Sequence, residues 1–293
     1  MKRFLVVLSC AFLLLSLGLA NAGNLEEVQK AIKQKGAKWA AGENSVSRLP
    51  LEQLKKRLGT IIERKNLRGE IPSVVGLPTS FDWRDQGMVT PVKDQGNCGS
   101  CWAFGSVAGL ESQLLLAGTT PNPDFSEQFV VSCNKTNSGC DGGYMSRVYN
   151  FLARGGTPEE ACFPYQAKDL PCLRACREWQ ETQEQIGSWS WVTRDVDALK
   201  AAVYENPVPA AFVVYEDFMY YTGGVYEHVS GGVAGGHAIL IVGWDDNPPE
   251  GIPCFIVKNS WDTNWGEAGY FRIGYSQVTN EVEFGDDAGD FEM

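Results

Sequence analysis

Gln95-Gly96-Asn97-Cys98-Gly99-Ser100-Cys101-Trp102-Ala103-Phe104 puts a cysteine where a loop of small residues runs into an apolar stretch, residues 102–110, that reads as a helix start. A thiol at a helix N-terminus feels the positive end of the macrodipole, which favours thiolate over thiol. The thiolate is the form that attacks carbonyls, so Cys101 is the candidate nucleophile. Such a cysteine needs an imidazole partner, a group that orients the imidazole, and donors for the oxyanion. The chain has only two histidines. His237 stands in Gly235-Gly236-His237-Ala238-Ile239-Leu240, a glycine turn running into an apolar run, at the mouth of an expected buried strand. His228 lies in a polar, turn-flanked stretch and reads as structural. In Ile256-Val257-Lys258-Asn259-Ser260-Trp261 the Asn259 amide can accept the imidazole N–H while Trp261 shields that bond from water. Gln95 can join the Cys101 N–H as an oxyanion donor.

Competing chemistries fit less well. Cys98 and Cys101 also form a C-x-x-C, a redox pair or half a zinc site. A zinc site needs a second ligand pair, and Cys133 and Cys140 are badly spaced for one. A redox module leaves Gln95, His237 and Asn259 unexplained. The glycines at 231, 232, 235 and 236 lie in no phosphate-loop pattern. The expectation is therefore no metal and no cofactor.

The Cys98-Gly99-Ser100-Cys101-Trp102 run resembles that of papain and cathepsin cysteine proteases, in which His and Asn follow about 130–150 residues downstream. Here they follow by 136 and 158 residues. The likeness extends from Leu77 to about Phe284 through Phe81-Asp82-Trp83-Arg84, Cys140-Asp141-Gly142-Gly143 and Asn259-Ser260-Trp261…Trp265-Gly266. The stretch Tyr221–Gly231 and the turn Cys162-Phe163-Pro164-Tyr165 are similar to the cathepsin B-like branch. The resemblance implies an α+β fold of two lobes, a helical left lobe and an antiparallel β-barrel right lobe with the cleft between. It assigns Cys101 as nucleophile, His237 as acid/base, Asn259 as orienter and Gln95 as oxyanion donor. It also implies a cysteine endopeptidase made as a zymogen.

Composition fits a secreted enzyme. Residues 1–22 read as a signal peptide, with Lys2 and Arg3, an apolar run, then Ala20-Asn21-Ala22. No stretch is long enough to span a membrane. Residues 23–76 carry 11 basic and 6 acidic side chains, whereas 77–293 carry 12 and 30. A basic segment ahead of an acidic domain suggests an intramolecular partner held partly by charge. Lys38-Trp39-Ala40-Ala41-Gly42-Glu43-Asn44 resembles the short cathepsin B-type propeptide, which implies an inhibitory propeptide over 23–76 and a peptidase domain over 77–293. Eight cysteines remain once Cys10 is lost with the signal, and seven without Cys101. The resemblance pairs Cys98 with Cys140, Cys133 with Cys172 and Cys162 with Cys176, leaving Cys254 as a buried, unreactive thiol.

Cathepsin B carries a long loop with two histidines that grip a substrate C-terminal carboxylate. Only six residues, 166–171 and none of them histidine, separate Tyr165 from Cys172 here, so an open primed side and little carboxydipeptidase activity are expected. The resemblance lines the cleft with Gly99, Gly142, Gly143, Trp261 and Trp265. It lines the pocket for the second residue before the scissile bond with Tyr144, Met145, Ala211 and Ala238, with Thr279 at the floor and Glu281 or Glu283 as alternatives. A Thr279 floor predicts a preference for Leu, Val or Phe; a strong Arg preference would mean an acid inside. The last thirteen residues hold six acids and read as a loose tail, and Asn134-Lys135-Thr136 is a glycosylation sequon. The expected partners are polypeptide substrates and the chain's own propeptide, without nucleic acid, in a monomer. The expected location is an acidic lysosome-like vacuole or the extracellular space. A ligase using the same thioester and an inactive binding homologue are the rival readings.

Overall fold

A computed structural model describes residues 19–63 and 76–293, with side chains from Leu25 onward. Most of the expected signal peptide, and residues 64–75 of the expected propeptide, lie outside the described residues. In chain order the elements are α1 (Leu19–Lys35), β1 (Trp39–Ala41), α2 (Leu51–Lys56), β2 (Ser80–Asp82), α3 (Cys101–Ala117), α4 (Glu127–Cys133), α5 (Met145–Arg154) and β3 (Ser188–Trp191). Then come α6 (Val196–Glu205), β4 (Val208–Tyr215), β5 (Tyr221–Tyr226), β6 (Val233–Asp245), β7 (Cys254–Lys258), β8 (Tyr270–Gly274) and β9 (Gly289–Glu292). No described helix is long and apolar enough to cross a membrane.

One lobe is a curled sheet in the order β1-β5-β8-β7-β6-β2, with β4 also paired to β6. Its ladders are antiparallel except for β5 with β8. The strands β4 and β6 are long runs rich in Val, Ile, Ala and Phe because both of their faces are covered. The other lobe packs α3, α4 and α5 around Trp102, Leu110, Val130, Met145 and Tyr149. The Cys98–Cys140, Cys133–Cys172 and Cys162–Cys176 bridges tie its loops together. Each closes a stretch of loop in the unfolded chain, an effect of about 2–4 kcal/mol.

α3 joins the lobes. Fourteen of its residues are buried, so it is apolar nearly all round, as a central helix must be. At Gly105 an added Cβ would stand 3.1 Å from the Ile239 carbonyl oxygen. That close approach lays the first turn of α3 against β6 and sets Cys101 facing the strand that carries His237.

The C-terminus departs from the expected loose tail. β9 pairs antiparallel with β3, Phe291 is buried, and the Gln113 side chain donates to the Phe291 carbonyl at 2.6 Å. Burial of one aromatic and a complete ladder outweigh the solvation of the neighbouring acids. The N-terminal segment is also docked: Trp39, Val46 and Leu54 belong to the core of the sheet lobe.

Candidate active site

Cys101 opens α3 immediately after Ser100, whose carbonyl takes the Ala103 and Phe104 N–H groups. The thiol is fully buried. Burial alone would raise its pKa, but the charge of His237, with hydrogen bonds from His237, Thr60 and the Ala238 backbone, pulls it down to about 7. His237 comes from β6, and the pairing of Leu240 with Lys258 brings the end of β7 alongside it. His237 Nε2 therefore meets Asn259 Oδ1 at 2.7 Å. Trp261 lies over the imidazole with centroids 4.6 Å apart, and Trp265 packs edge-on behind Trp261 at 5.0 Å. Both indoles are buried, so the His237–Asn259 bond is sealed from water and correspondingly strong.

Gln95 is held on three sides. Its N–H donates to the Ser260 carbonyl and its carbonyl accepts from Tyr165 Oη. Its Oε1 accepts from Ser260 Oγ at 2.7 Å. That acceptor role turns Nε2 outward as a donor, toward the Arg57 carbonyl at 2.9 Å and the Cys98 carbonyl at 2.8 Å. A preorganised amide donor that reaches a peptide carbonyl beside a thiol of lowered pKa can stabilise an oxyanion.

The carbonyl it holds belongs to the N-terminal segment, which runs through the cleft. Thr60 pairs in parallel with Gly143. The Gly143 N–H donates to the Gly59 carbonyl at 2.8 Å, Ile61 N–H to the Gly143 carbonyl at 2.9 Å and Thr60 N–H to the Gly236 carbonyl at 3.1 Å. What faces the sulfur is the Gly59 N–H at 3.4 Å and the Thr60 hydroxyl at 3.1 Å, the latter a donor when the sulfur is ionised. An added Cβ on Gly59 would lie 1.8 Å from the Gly99 carbonyl oxygen, and one on Gly142 would lie 2.5 Å from the Gly59 carbonyl oxygen. Only glycine allows these backbones to meet.

Residues 77–288 match the family described as papain family cysteine protease. This chain is a papain-family cysteine protease. It is 37% identical to cathepsin B-like CP3 of Giardia intestinalis over 265 residues, covering 85% of this chain and 88% of that one. It is 34% identical to cathepsin B-like CP2 of the same organism over 83% of this chain and 86% of that one. Among solved structures, digestive procathepsin L2 from Tenebrio molitor superposes with a TM-score of 0.80 at 30% identity, covering 93% and 90% of the two chains. The procathepsin B S9 of Trypanosoma congolense superposes with a TM-score of 0.79 at 25% identity, over 92% and 98%.

In this protease Met145, Ala211 and Ala238 are buried in the same apolar cluster as Cys101, and Ile62 of the N-terminal segment packs against that cluster. Tyr144 is fixed beside it through the Asn137 amide, with the Arg147 guanidinium over its ring. Thr279 is exposed. The stretch beside Ala211 is 285–287: Gly285 N–H donates to the Ala211 carbonyl, and Ala211 N–H to the Asp286 carbonyl. The chain turns at Glu283 and Gly285, both left-handed at φ 51° and 91°. Glu281 is exposed. Glu283 is half-buried and interacts with Asp286. Arg194 Nε meets the Asp286 carboxylate at 2.9 Å, and the Asp287 carbonyl accepts from Tyr149 Oη at 2.9 Å, contacts that tie this stretch to both lobes.

Elsewhere, His228 Nδ1 bonds the buried Asp217 carboxylate at 3.1 Å and the ring lies on Tyr215, a structural arrangement far from the sulfur in chemistry and role. Cys254 is the second free thiol, and burial pushes it up to about 12. Asn134 of the sequon is buried, its Oδ1 accepting from Thr136 N–H and Oγ1. The six-residue loop 166–171 is pinned to the helical lobe. Gln166 N–H donates to Gln128 Oε1, Gln128 Nε2 donates to the Lys168 carbonyl, and Asp169 takes the Cys140 N–H.

Proposed function

We propose that this protease is a cysteine endopeptidase made as a zymogen, with residues 23–76 as its inhibitory propeptide and 77–293 as the peptidase domain. The observation that carries the reading is the set of four groups around one point: a thiol lowered to about 7, the His237–Asn259 pair, and a Gln95 donor already holding a peptide carbonyl. Cys101 thiolate attacks the scissile carbonyl carbon, and the oxyanion takes hydrogen bonds from Gln95 Nε2 and the Cys101 N–H. His237 gives its proton to the leaving amine, then takes one from the water that hydrolyses the thioester. Asn259 keeps the imidazole in place through both transfers. The glycines Gly99, Gly142 and Gly143 leave the cleft backbone open to pair with an extended substrate, while Trp261 and Trp265 lie buried beneath His237.

The docked segment supports latency for a chemical reason. It presents an N–H and a hydroxyl to the sulfur where a cleavable substrate presents a carbonyl carbon. The short, pinned loop 166–171 supports an open primed side, hence internal cleavage over release of C-terminal dipeptides. Three disulfides fit a protein of the secretory route, in an acidic vacuole or outside the cell. The test is hydrolysis of an internally quenched peptide by the activated protein, with Cys101→Ser and an epoxide thiol inhibitor alongside. Expected is internal cleavage abolished by both; C-terminal dipeptide release as the dominant activity, or amide transfer in place of hydrolysis, would overturn the reading.

A further inference from the structure

Separate elements carry the catalytic groups, and three of them meet again at one buried carboxylate. Glu111 lies on α3 beyond Cys101, about 15 Å further along the helix, and is 1% exposed. Its Oε1 takes the Lys93 ammonium and the Phe125 N–H, both at 3.0 Å. Its Oε2 takes the Thr90 hydroxyl, and Thr90 Oγ1 in turn accepts from Lys258 Nζ at 2.9 Å. Lys93 is shared with Asp124 at 2.8 Å and Glu127 at 2.9 Å, which ties in the start of α4. Lys93 is close to Gln95 in sequence, and Lys258 immediately precedes Asn259. A cavity of about 20 Å³ is lined by members of both sets, Glu111, Glu127 and Lys258 from this cluster and Asn259 and Ser260 from the active site. Asn259 Nδ2 has no hydrogen-bond partner among the described residues. Its amide is held through Oδ1 alone, by the Ser260 N–H at 2.8 Å and His237 at 2.7 Å. A void gives no packing contacts on its side, so the backbone at 258–259 decides where the orienter stands.

We propose that Glu111 is a positioning residue for the peptidase reaction, the common fixture of the elements that present Cys101, Gln95 and Asn259. It touches neither substrate nor reacting atoms. Through Lys93 it holds the loop whose Gln95 aims a donor at the oxyanion, and that loop is stitched to the far side by the antiparallel bridge of Asp94 with Trp261. Through Thr90 and Lys258 it holds the end of β7, and with it Asn259 and the His237 ring. Glu111 itself rides on α3, so both straps are measured from the helix that carries the nucleophile. A buried ion cluster is a weak source of net stability, and its best-attested use is to fix register. The cluster accordingly acts on the geometry of the site more than on the stability of the fold. This inference rests on the peptidase reading above.

The experiment is a double-mutant cycle on the activated protein, with wild type, Glu111→Gln, Asn259→Ala and the pair. Functional thiol is titrated with an epoxide inhibitor, and kcat per titrated thiol and KM are read on an N-blocked fluorogenic dipeptide. Glu111→Gln keeps the side-chain shape and removes the charge. Expected is a kcat per thiol lower by about tenfold, since a misplacement of 1 Å far from the chemistry can cost on the order of 10²-fold, with KM altered by less than about threefold. In the Asn259→Ala background the same substitution should cost less than about threefold, because the group it positions is gone. An equal loss in both backgrounds overturns the inference. So does a loss that appears only as a lower melting temperature or fewer titratable thiols, with kcat per thiol unchanged. Should Glu111→Gln fail to fold, Lys258→Met removes only the strap to β7. It should lower kcat per thiol by about threefold or more and show the same non-additivity with Asn259→Ala; an unchanged kcat per thiol overturns the inference. No cleavage by the wild type overturns the peptidase reading itself, and the same cycle is then read from the rate at which a small disulfide probe labels Cys101.

Discussion

The N-terminal segment holds the protease in two halves built on opposite principles. Around residues 39–47 it is an anchor of side chains. Trp39 sits between Tyr221 and Tyr226 with its indole N–H on the Glu227 carbonyl. Val46 is fully buried, and Asn44 Nδ2 bridges the Met219 and Tyr221 carbonyls while β1 extends the sheet beside β5. Around residues 57–62 the contacts are mostly backbone to backbone, with one part-exposed ion pair from Arg57 to Asp94. Buried aromatic area supplies affinity, whereas main-chain pairing in a cleft of glycines supplies position. The anchor decides whether the segment stays, and the cleft half decides what it blocks.

The difference is tested most severely by Trp39→Ala. Removing a buried tryptophan costs about 3–5 kcal/mol, which weakens docking by roughly 10²–10⁴-fold. The intact chain should then react with an epoxide thiol inhibitor at Cys101 without any cleavage of the segment. If labelling stays as slow as in the wild type, the anchor is not the seat of affinity. Gly59→Ala separates the halves. Its Cβ has no place beside the Gly99 carbonyl, so the cleft half should lift off while β1 remains paired to β5. The expected result is faster labelling of Cys101, by about tenfold or more and less than for Trp39→Ala, with protection from hydrogen exchange retained over residues 39–47.

Much of this architecture was legible from local pattern, and what was not has a common cause. Cys101, His237, Asn259 and Gln95 announce themselves because each sits at an abrupt change of character, small loop to apolar helix or glycine turn to buried strand. The strand over 208–215 reads off its run of Val, Ala and Phe, since both faces are covered. β6 instead begins at Val233, five residues before its apolar run, because β4 pairs with the glycine-rich stretch there. The C-terminal acids read as a loose tail because their partners are remote. Ser188–Trp191 and Gln113 lie about a hundred residues or more upstream, and no local period reports such contacts. Thr279 is exposed, and the backbone that pairs with Ala211 is Gly285 and Asp286, a register set by the left-handed residues Glu283 and Gly285 that linear spacing does not report.

The cleft half should also be the pH-sensitive half, and this is the smallest effect. Gly59 N–H and Thr60 Oγ1–H are donors to the sulfur, so they favour thiolate over thiol. Most of what holds the Cys101 thiol down to about 7 is His237, which stays when the segment departs; the share that belongs to docking is the Thr60 hydrogen bond, and such a share stabilises the docked state while the sulfur is ionised. It is lost as pH falls through about 7. Hydrogen bonds to a charged group contribute about 1.5–3 kcal/mol each at most, and the sulfur is a weak acceptor, so the change in docking is roughly threefold to tenfold. Labelling of Cys101 in the intact chain, corrected for thiolate fraction with a small-thiol standard, should therefore accelerate from pH 8 to pH 5. Thr60→Val should flatten that dependence by about half and leave the anchor's exchange protection unchanged. Acceleration toward alkaline pH would mean that the donors at the sulfur do not couple docking to its charge, and the anchor's own contacts, which involve no titrating group at Trp39, Asn44 or Val46, would then be the whole of what the cleft half follows.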